Sequence, residues 1–307
     1  MTVVQRVRRD LAKNRYLYLL ALPGVAFLIV FGYVPMFGHL IAFEKFRVAD
    51  GIFGSEWVWF KNFKFFFGSQ DWLRITLNTL WLNLLFMASS ILAGLLLAVF
   101  LNEVRHQLFK RVCQSLFLLP YFVSWLVASM MVWALLNSTD GLVNRTLQSI
   151  GLSGIDWYIE PRYWRAILTF LNVWKWGGYT SIIYLAAIIS IEGEFFESAR
   201  VDGANRFQQI WHITLPLLIP TTLILVLLSV GRVFYGDFAM VYGLVGDNGM
   251  LFPTTDVIDT YAFRALRRVG NFSQAAAVSL YQGVMGIVTI IVVNKLVKTI
   301  DPEKSLF

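Results

Sequence analysis

Hydrophobic positions along the chain come in long unbroken blocks. Asp, Glu, Lys and Arg are absent from Tyr16–Phe43, Ile75–Asn102, Val112–Thr139, Phe207–Gly231 and Val269–Asn294, and Ala166–Ile191 is broken only by Lys175. Each block has 25 to 28 residues, and a helix needs about 20 mostly apolar residues to cross the hydrocarbon of a bilayer. Lipid supplies no water to backbone polar groups, so a spanning segment satisfies them internally, as a helix does. The polar–apolar alternation of a spanning β-barrel is missing from runs such as Leu84–Leu101. One or two such blocks suit the interior of a soluble domain, but six do not. The pattern predicts an all-α polytopic membrane protein with six transmembrane helices, at about 17–38, 77–101, 113–136, 167–190, 213–231 and 273–294.

The first block follows Arg6, Arg8, Arg9, Lys13 and Arg15, which imitates a signal peptide. Its apolar core is too long for one and no small-x-small cleavage site follows, so it reads as a retained first helix. Residues 1–15 read as a cytoplasmic, interfacial segment, 16–300 as a single membrane domain and 301–307 as a cytoplasmic tail.

Composition sharpens this picture. Only 15% of the 307 residues are charged and 57% are hydrophobic, against about 25% charged in a soluble domain. The six blocks hold a single charge, Lys175, so the average conceals two phases. These figures exclude a disordered chain, and the lone Cys113 excludes a disulfide-stapled module. The net charge of +7 follows orientation and gives no sign of a nucleic-acid partner. Lys and Arg are denser in Met1–Arg15, Glu103–Arg111, Glu192–His212 and the tail than in the intervening loops, which places both termini in the cytoplasm.

The inner loop from Glu192 to His212 is long and has its own local code. Glu194–Val201 is helix-forming, with acids in its first turn; Asp202-Gly203 signals a turn; Asn205 can cap a second helix on which Phe207, Ile210 and Trp211 share one face. Pro216 and Pro220 open the following span. Read from the residues alone, this segment is either a helical hairpin projecting into the cytoplasm or an amphipathic hairpin lying on the bilayer.

At these residues the chain resembles the permease subunits of binding-protein-dependent ABC importers. Their cytoplasmic Glu-Ala-Ala, three residues, Gly, nine residues, Ile-x-Leu-Pro motif is matched by Glu197-Ser198-Ala199, Gly203 and Ile213-Thr214-Leu215-Pro216, with Ser198 replacing the first Ala. Asp202, Ala204 and Phe207 look like the sugar-permease version. Leu22-Pro23-Gly24, Tyr33-Val34-Pro35-Met36, Leu119-Pro120-Tyr121-Phe122-Val123-Ser124-Trp125 and Asp256-Val257-Ile258-Asp259-Thr260-Tyr261 extend the likeness over almost the whole chain, toward the subgroup importing complex or acidic oligosaccharides, alginate among them.

The resemblance implies a type I ABC importer permease in the bacterial cytoplasmic (inner) membrane. Its implied partners are a second, related permease in a heterodimer, a dimeric ATPase docked on the loop as on a coupling helix, and an extracytoplasmic solute-binding protein that delivers the oligosaccharide. It implies that Phe207 fills a groove of the ATPase, while Glu197 and Gly203 hold the turn. The chain has no Gly-x-x-x-x-Gly-Lys-Ser/Thr phosphate loop, so ATP and Mg are expected on the ATPase, with no cofactor, metal or catalytic group on this chain. His39, His106 and His212 are scattered among different segments. An ion-driven secondary transporter is the rival reading, and a membrane-embedded enzyme a third. Neither finds its intramembrane carboxylates or catalytic cluster here.

Lys175 sits between Trp174 and Trp176, with Tyr179 following. An intramembrane charge is costly and points to function. Aromatic faces and a cation suit an acidic sugar, so these four residues with Tyr121, Trp125 and Asn172 are the candidate substrate path. Lys175 snorkelling to the interface, or pairing with a polar group of another helix, are the alternatives. Trp57, Trp59, Phe60 and their aromatic neighbours in the first outer loop read as an interfacial belt. Arg264, Arg267 and Arg268 read as a solvated face.

Overall fold

The structure, a computed structural model, describes Arg9 and residues 13–300. The tail 301–307 and most of the N-terminal segment lie outside the described residues. Along the chain run α1 (Arg15–Leu28), the strands β1 (Glu44–Lys45) and β2 (Glu56–Trp57), α2 (Lys61–Phe67), α3 (Trp72–Glu103), α4 (Gln107–Leu118), α5 (Trp125–Leu136), α6 (Leu142–Ser149), α7 (Trp164–Ile189), α8 (Gly193–Val201), α9 (Arg206–Gln209), α10 (Ile219–Val230), α11 (Phe238–Val245), α12 (Ile258–Val269) and α13 (Phe272–Ile300). They fall into two compact units: the described residues up to 69 with 265–280, and 70–264 with 281–300.

In the first unit, α1 continues through a π-helical turn, Ile29–Tyr33, into a 3₁₀ stretch, Val34–Phe43. The composite helix is 29 residues long, and none of its most apolar window is buried. An all-apolar surface of that length suits contact with lipid. Glu44 pairs with Trp57 and Lys45 with Glu56 in the antiparallel β1–β2 ladder. Asn62 ties it down by donating to the carbonyls of Ala42 and Glu44, each at 2.9 Å. Phe53, Trp57, Trp59 and Phe60 are exposed around this hairpin.

The second unit is built on α3 packed along α7. Gly94 makes the approach possible, since a Cβ there would meet Thr180 at 2.5 Å. One core joins Leu82 and Phe86 of α3, Trp125 and Val132 of α5, Trp164 and Leu168 of α7, and Met240 and Leu244 of α11; a second joins Ala98, Leu101, Tyr184, Ile188 and Leu218. Arg264, expected on a solvated face, instead donates from Nη2 to both carboxylate oxygens of the buried Asp256, at 2.6 and 2.7 Å, and lies over the ring of Phe252.

Among the described residues, three helices are long and apolar enough to cross a membrane, and up to five if each of two bent pairs counts as one span. Two expected spans are therefore broken. The 113–136 segment divides into a helix ending at Phe122 and α5, at an angle of 99°. Pro120 withholds an N–H, and Ser124 restarts the helix by accepting a bond from Val127 N. The 213–231 segment continues the helix from Arg206 and bends by 49° after Leu217, where Pro220 follows at the second position of α10. The expected fourth span is one 26-residue helix, α7, about 39 Å long at 1.5 Å per residue. It falls outside that apolar set because it carries Asn172, Lys175, Gly177, Gly178 and Ser181, all turned into the protein interior.

Candidate functional site

The loop between α7 and α10 forms two short helices across a tight turn. α8 ends in a Schellman closure: Ala204 N donates to Ala199 O at 2.9 Å, and Gly203 N to Arg200 O at 3.1 Å. Gly203 occupies the left-handed position of this closure, with φ +82°. Asn205 then opens α9 with a full capping box, accepting from Gln208 N at 2.9 Å while its own N–H donates to Gln208 Oε1 at 2.8 Å. Gln209 donates to Ala204 O and locks the second helix to the turn. A hollow of about 330 Å³, lined by Ala199, Asp202, Gly203, Ala204, His212 and Ile213, lies in the crook.

The rings of Phe207 and Trp211 stack with centroids 6.1 Å apart and an interplanar angle of 15°, and both are exposed. Glu197 and Ser198 lie exposed on α8. Ile213 is half-buried, while Leu215 and Pro216 belong to the next helical turn. Two stacked aromatic rings outside any core are a surface suited to a partner.

Lys175 does not reach water. It is buried and donates to the carbonyl oxygens of Tyr121 and Val123, the groups that the break between α4 and α5 leaves unpaired. Its Nζ also lies 5.1 Å from the ring centroid of Trp125, a cation–π contact. Trp125 Nε1 donates to Asp237 Oδ2 at 2.7 Å, and Asp237 Oδ1 caps α11 by accepting from Met240 N at 3.0 Å. Lys175 thus clamps the broken span, and its charge faces Asp237 across the indole.

Beside this clamp, α3, α7, α10 and the turn after α10 enclose a cavity of about 670 Å³. Of the residues singled out from the sequence, Asn172, Trp176 and Tyr179 line it; Lys175, Trp174, Tyr121 and Trp125 do not. Tyr121 stands behind the wall, stacked on Tyr179 at 4.9 Å and edge-on to Trp176 at 5.4 Å. Trp174 packs against the core. The rest of the polar wall is Asn83, Ser90, Thr180, Ser229, Arg232, Tyr235 and Asp237, none of which stands out in the sequence. Ser90 donates to Asn172 Oδ1 at 2.6 Å. Outside the spans, Asp259 fixes the turn that carries Arg232, Tyr235 and Asp237: its Oδ2 accepts from Gly236 N at 2.7 Å and from Gln282 Nε2 at 2.9 Å. Burial raises the Asp259 carboxyl above its ordinary value, against those two hydrogen bonds.

This broken-helix bundle with an aromatic, amide-lined cavity and an exposed helical hairpin has known counterparts. Residues 90–305 match the family described as binding-protein-dependent transport system inner membrane component. The chain belongs to this family. The permease is 34% identical over 299 residues to the polygalacturonan/rhamnogalacturonan transport system permease protein YteP of Bacillus subtilis (strain 168), covering 97% of this chain and 92% of that one. It is likewise 34% identical to protein LplB of the same organism over 293 residues, 95% of this chain and 92% of the other. The permease superposes with a TM-score of 0.87 and 31% identity on a chain of a bacterial ABC transporter involved in the import of the acidic polysaccharide alginate, over 96% of this chain and 99% of that one. It matches equally, with a TM-score of 0.86, a chain of the bacterial alginate ABC transporter in complex with an alginate pentasaccharide-bound periplasmic protein. The permease is thus a multi-pass inner-membrane component of a binding-protein-dependent transport system.

Proposed function

We propose that this permease carries an acidic oligosaccharide through the 670 Å³ cavity by alternating access, driven by a separate ATPase that docks on the α8–α9 hairpin. One observation carries the reading: α7 is a single continuous helix that places Asn172, Trp176 and Tyr179 on the cavity wall and ends at Ile189, immediately before the hairpin. A rotation imposed on the hairpin is transmitted by that helix to the wall, the rigid-body class of switch. Aromatic rings with amides and a hydroxyl around them suit the C–H faces and hydroxyls of a sugar. The names of the similar proteins, which concern polygalacturonan, rhamnogalacturonan and alginate, support a uronate-containing cargo.

A second, related permease completes the membrane passage, an extracytoplasmic binding protein delivers the cargo, and ATP and Mg are held on the ATPase. The test is uptake in cells. Deleting the ATPase gene should abolish accumulation of the oligosaccharide, and Gly203→Pro should do the same while the permease remains in the membrane. Uptake that survives loss of the ATPase and collapses with an ionophore would instead establish ion coupling.

A further inference from the structure

We infer that Arg232 is the specificity-determining residue that binds the carboxylate of the cargo; this rests on the acidic-oligosaccharide reading above. Arg232 follows the end of α10 and is, among the described residues, the one cation on the cavity wall. Its side chain is exposed, and among the described residues it makes no side-chain hydrogen bond or ion pair. The other charges nearby are committed. Asp237 has both oxygens engaged, by Trp125 Nε1 and Met240 N, and Lys175 is turned onto the carbonyls of the broken span. The cavity therefore presents one free guanidinium, whose planar fork matches a carboxylate with two parallel N–H donors.

The backbone under Arg232 is held. Tyr235 N donates to Arg232 O at 2.8 Å, and Gln282 Nε2 donates to Phe234 O at 2.8 Å. Gly236 has no room for a side chain, since a Cβ would lie 2.9 Å from Asp259 Oδ2. With the backbone already held, only the side chain's own rotamers are left to order when the guanidinium meets its ligand. Tyr235 lines the same wall from this turn, with Trp176 and Tyr179, so a uronate ring has apolar faces available beside the charge that takes its carboxylate.

The experiment uses the permease in its assembled transporter, without binding protein, in lipid nanodiscs. Trigalacturonate and an alginate trisaccharide, each as free acid and as full methyl ester, are titrated against tryptophan fluorescence, for which Trp176 on the wall is the reporter. Wild type should bind the acid about tenfold or more tightly than the ester, the scale of a hydrogen bond to a charged group. Arg232→Gln should bring the acid-to-ester ratio close to one without changing affinity for the ester, and Arg232→Lys should keep part of the preference. Loss of affinity for acid and ester alike in Arg232→Gln would reveal a merely structural role and overturn the assignment. A preference for the acid that persists in Arg232→Gln overturns the role of Arg232 and leaves the acidic-cargo reading standing. A wild type that binds the ester as well as the acid overturns both.

Discussion

The indole N–H of Trp125 points at Asp237, 2.7 Å from its carboxylate oxygen, while the opposite charge of Lys175 rests 5.1 Å from the centre of the same ring. One aromatic side chain thus separates the two charges and bonds one of them. Lys175→Met removes the donor from two part-buried carbonyls and the counter-charge from Asp237. A cost of about 2–4 kcal/mol is expected, since a buried acceptor left unsatisfied costs ~1–3 kcal/mol and an uncompensated charge more. Asp237→Asn should relieve part of that loss. The double variant in a thermal-unfolding cycle should then be less destabilised than the sum of the singles. Strict additivity would show that the two charges do not interact.

Adjacent glycines of α7 should answer substitution with opposite signs. A Cβ on Gly178 would sit 1.9 Å from the carbonyl oxygen of Phe117, backbone against backbone, whereas one on Gly177 meets nothing closer than 3.7 Å. Gly178→Ala must push α4 away and should cost about 3 kcal/mol or more. Gly177→Ala should be neutral or stabilise by up to about 1 kcal/mol, the helix-propensity gain over glycine. Melting temperatures of the detergent-solubilised variants make the comparison.

The hairpin makes a prediction about coupling. Gly203→Ala forces a side chain into φ +82° at a cost of roughly 1–2 kcal/mol, and Asn205→Ala deletes the capping box at roughly 1 kcal/mol. Both sites are exposed, so global stability should change little. Stimulation of ATP hydrolysis by cargo-loaded binding protein should fall severalfold in each. Gly203→Asn should retain more coupling than Gly203→Ala, because asparagine tolerates the left-handed region. Equal ATPase stimulation in all three variants would remove the hairpin from the coupling route.

Asp259 predicts a pH dependence. Burial raises its folded-state carboxyl above the ordinary value, so the folded protein holds that proton more tightly than the unfolded chain. The stability this contributes is complete below the unfolded pKa, about 4, and is lost as pH rises through the folded pKa. Asp259→Asn, which keeps an acceptor for Gly236 N, should show a flatter melting temperature than wild type as pH rises from 4 to 7. Parallel pH profiles would contradict the raised carboxyl.

Much of this was legible because it is local. The charge-free blocks coincide with the long apolar helices, straight or bent, and the Asp202-Gly203 turn and Asn205 cap are written in adjacent residues. The 99° break is not legible in the apolar pattern, although Pro120 and Ser124 sit at it, because hydropathy records depth in the membrane and not direction. Arg232 is hidden in the sequence for a related reason. The charge-free run ends at Gly231, one residue earlier, so the next residue reads as the start of a water-facing loop. The signal available was Arg232 and Asp237 spaced around Tyr235-Gly236, two opposite charges on one short glycine turn. Lys175 stands out in the sequence as the lone charge of the six blocks, but the carbonyls it serves lie more than fifty residues earlier, and no spacing rule connects them.

The broken span also sets an order of assembly. The carbonyls of Tyr121 and Val123 depend on an ammonium group that belongs to α7, so while the chain is being made the third segment enters the bilayer before its donor exists. Until the fourth arrives, those two carbonyls have only water or the insertion machinery to bond with. A nascent chain arrested before residue 164 should leave the 119–125 stretch accessible to water-borne labels, and one extended past Lys175 should protect it. The two chain lengths together test whether the break closes only once Lys175 has been made.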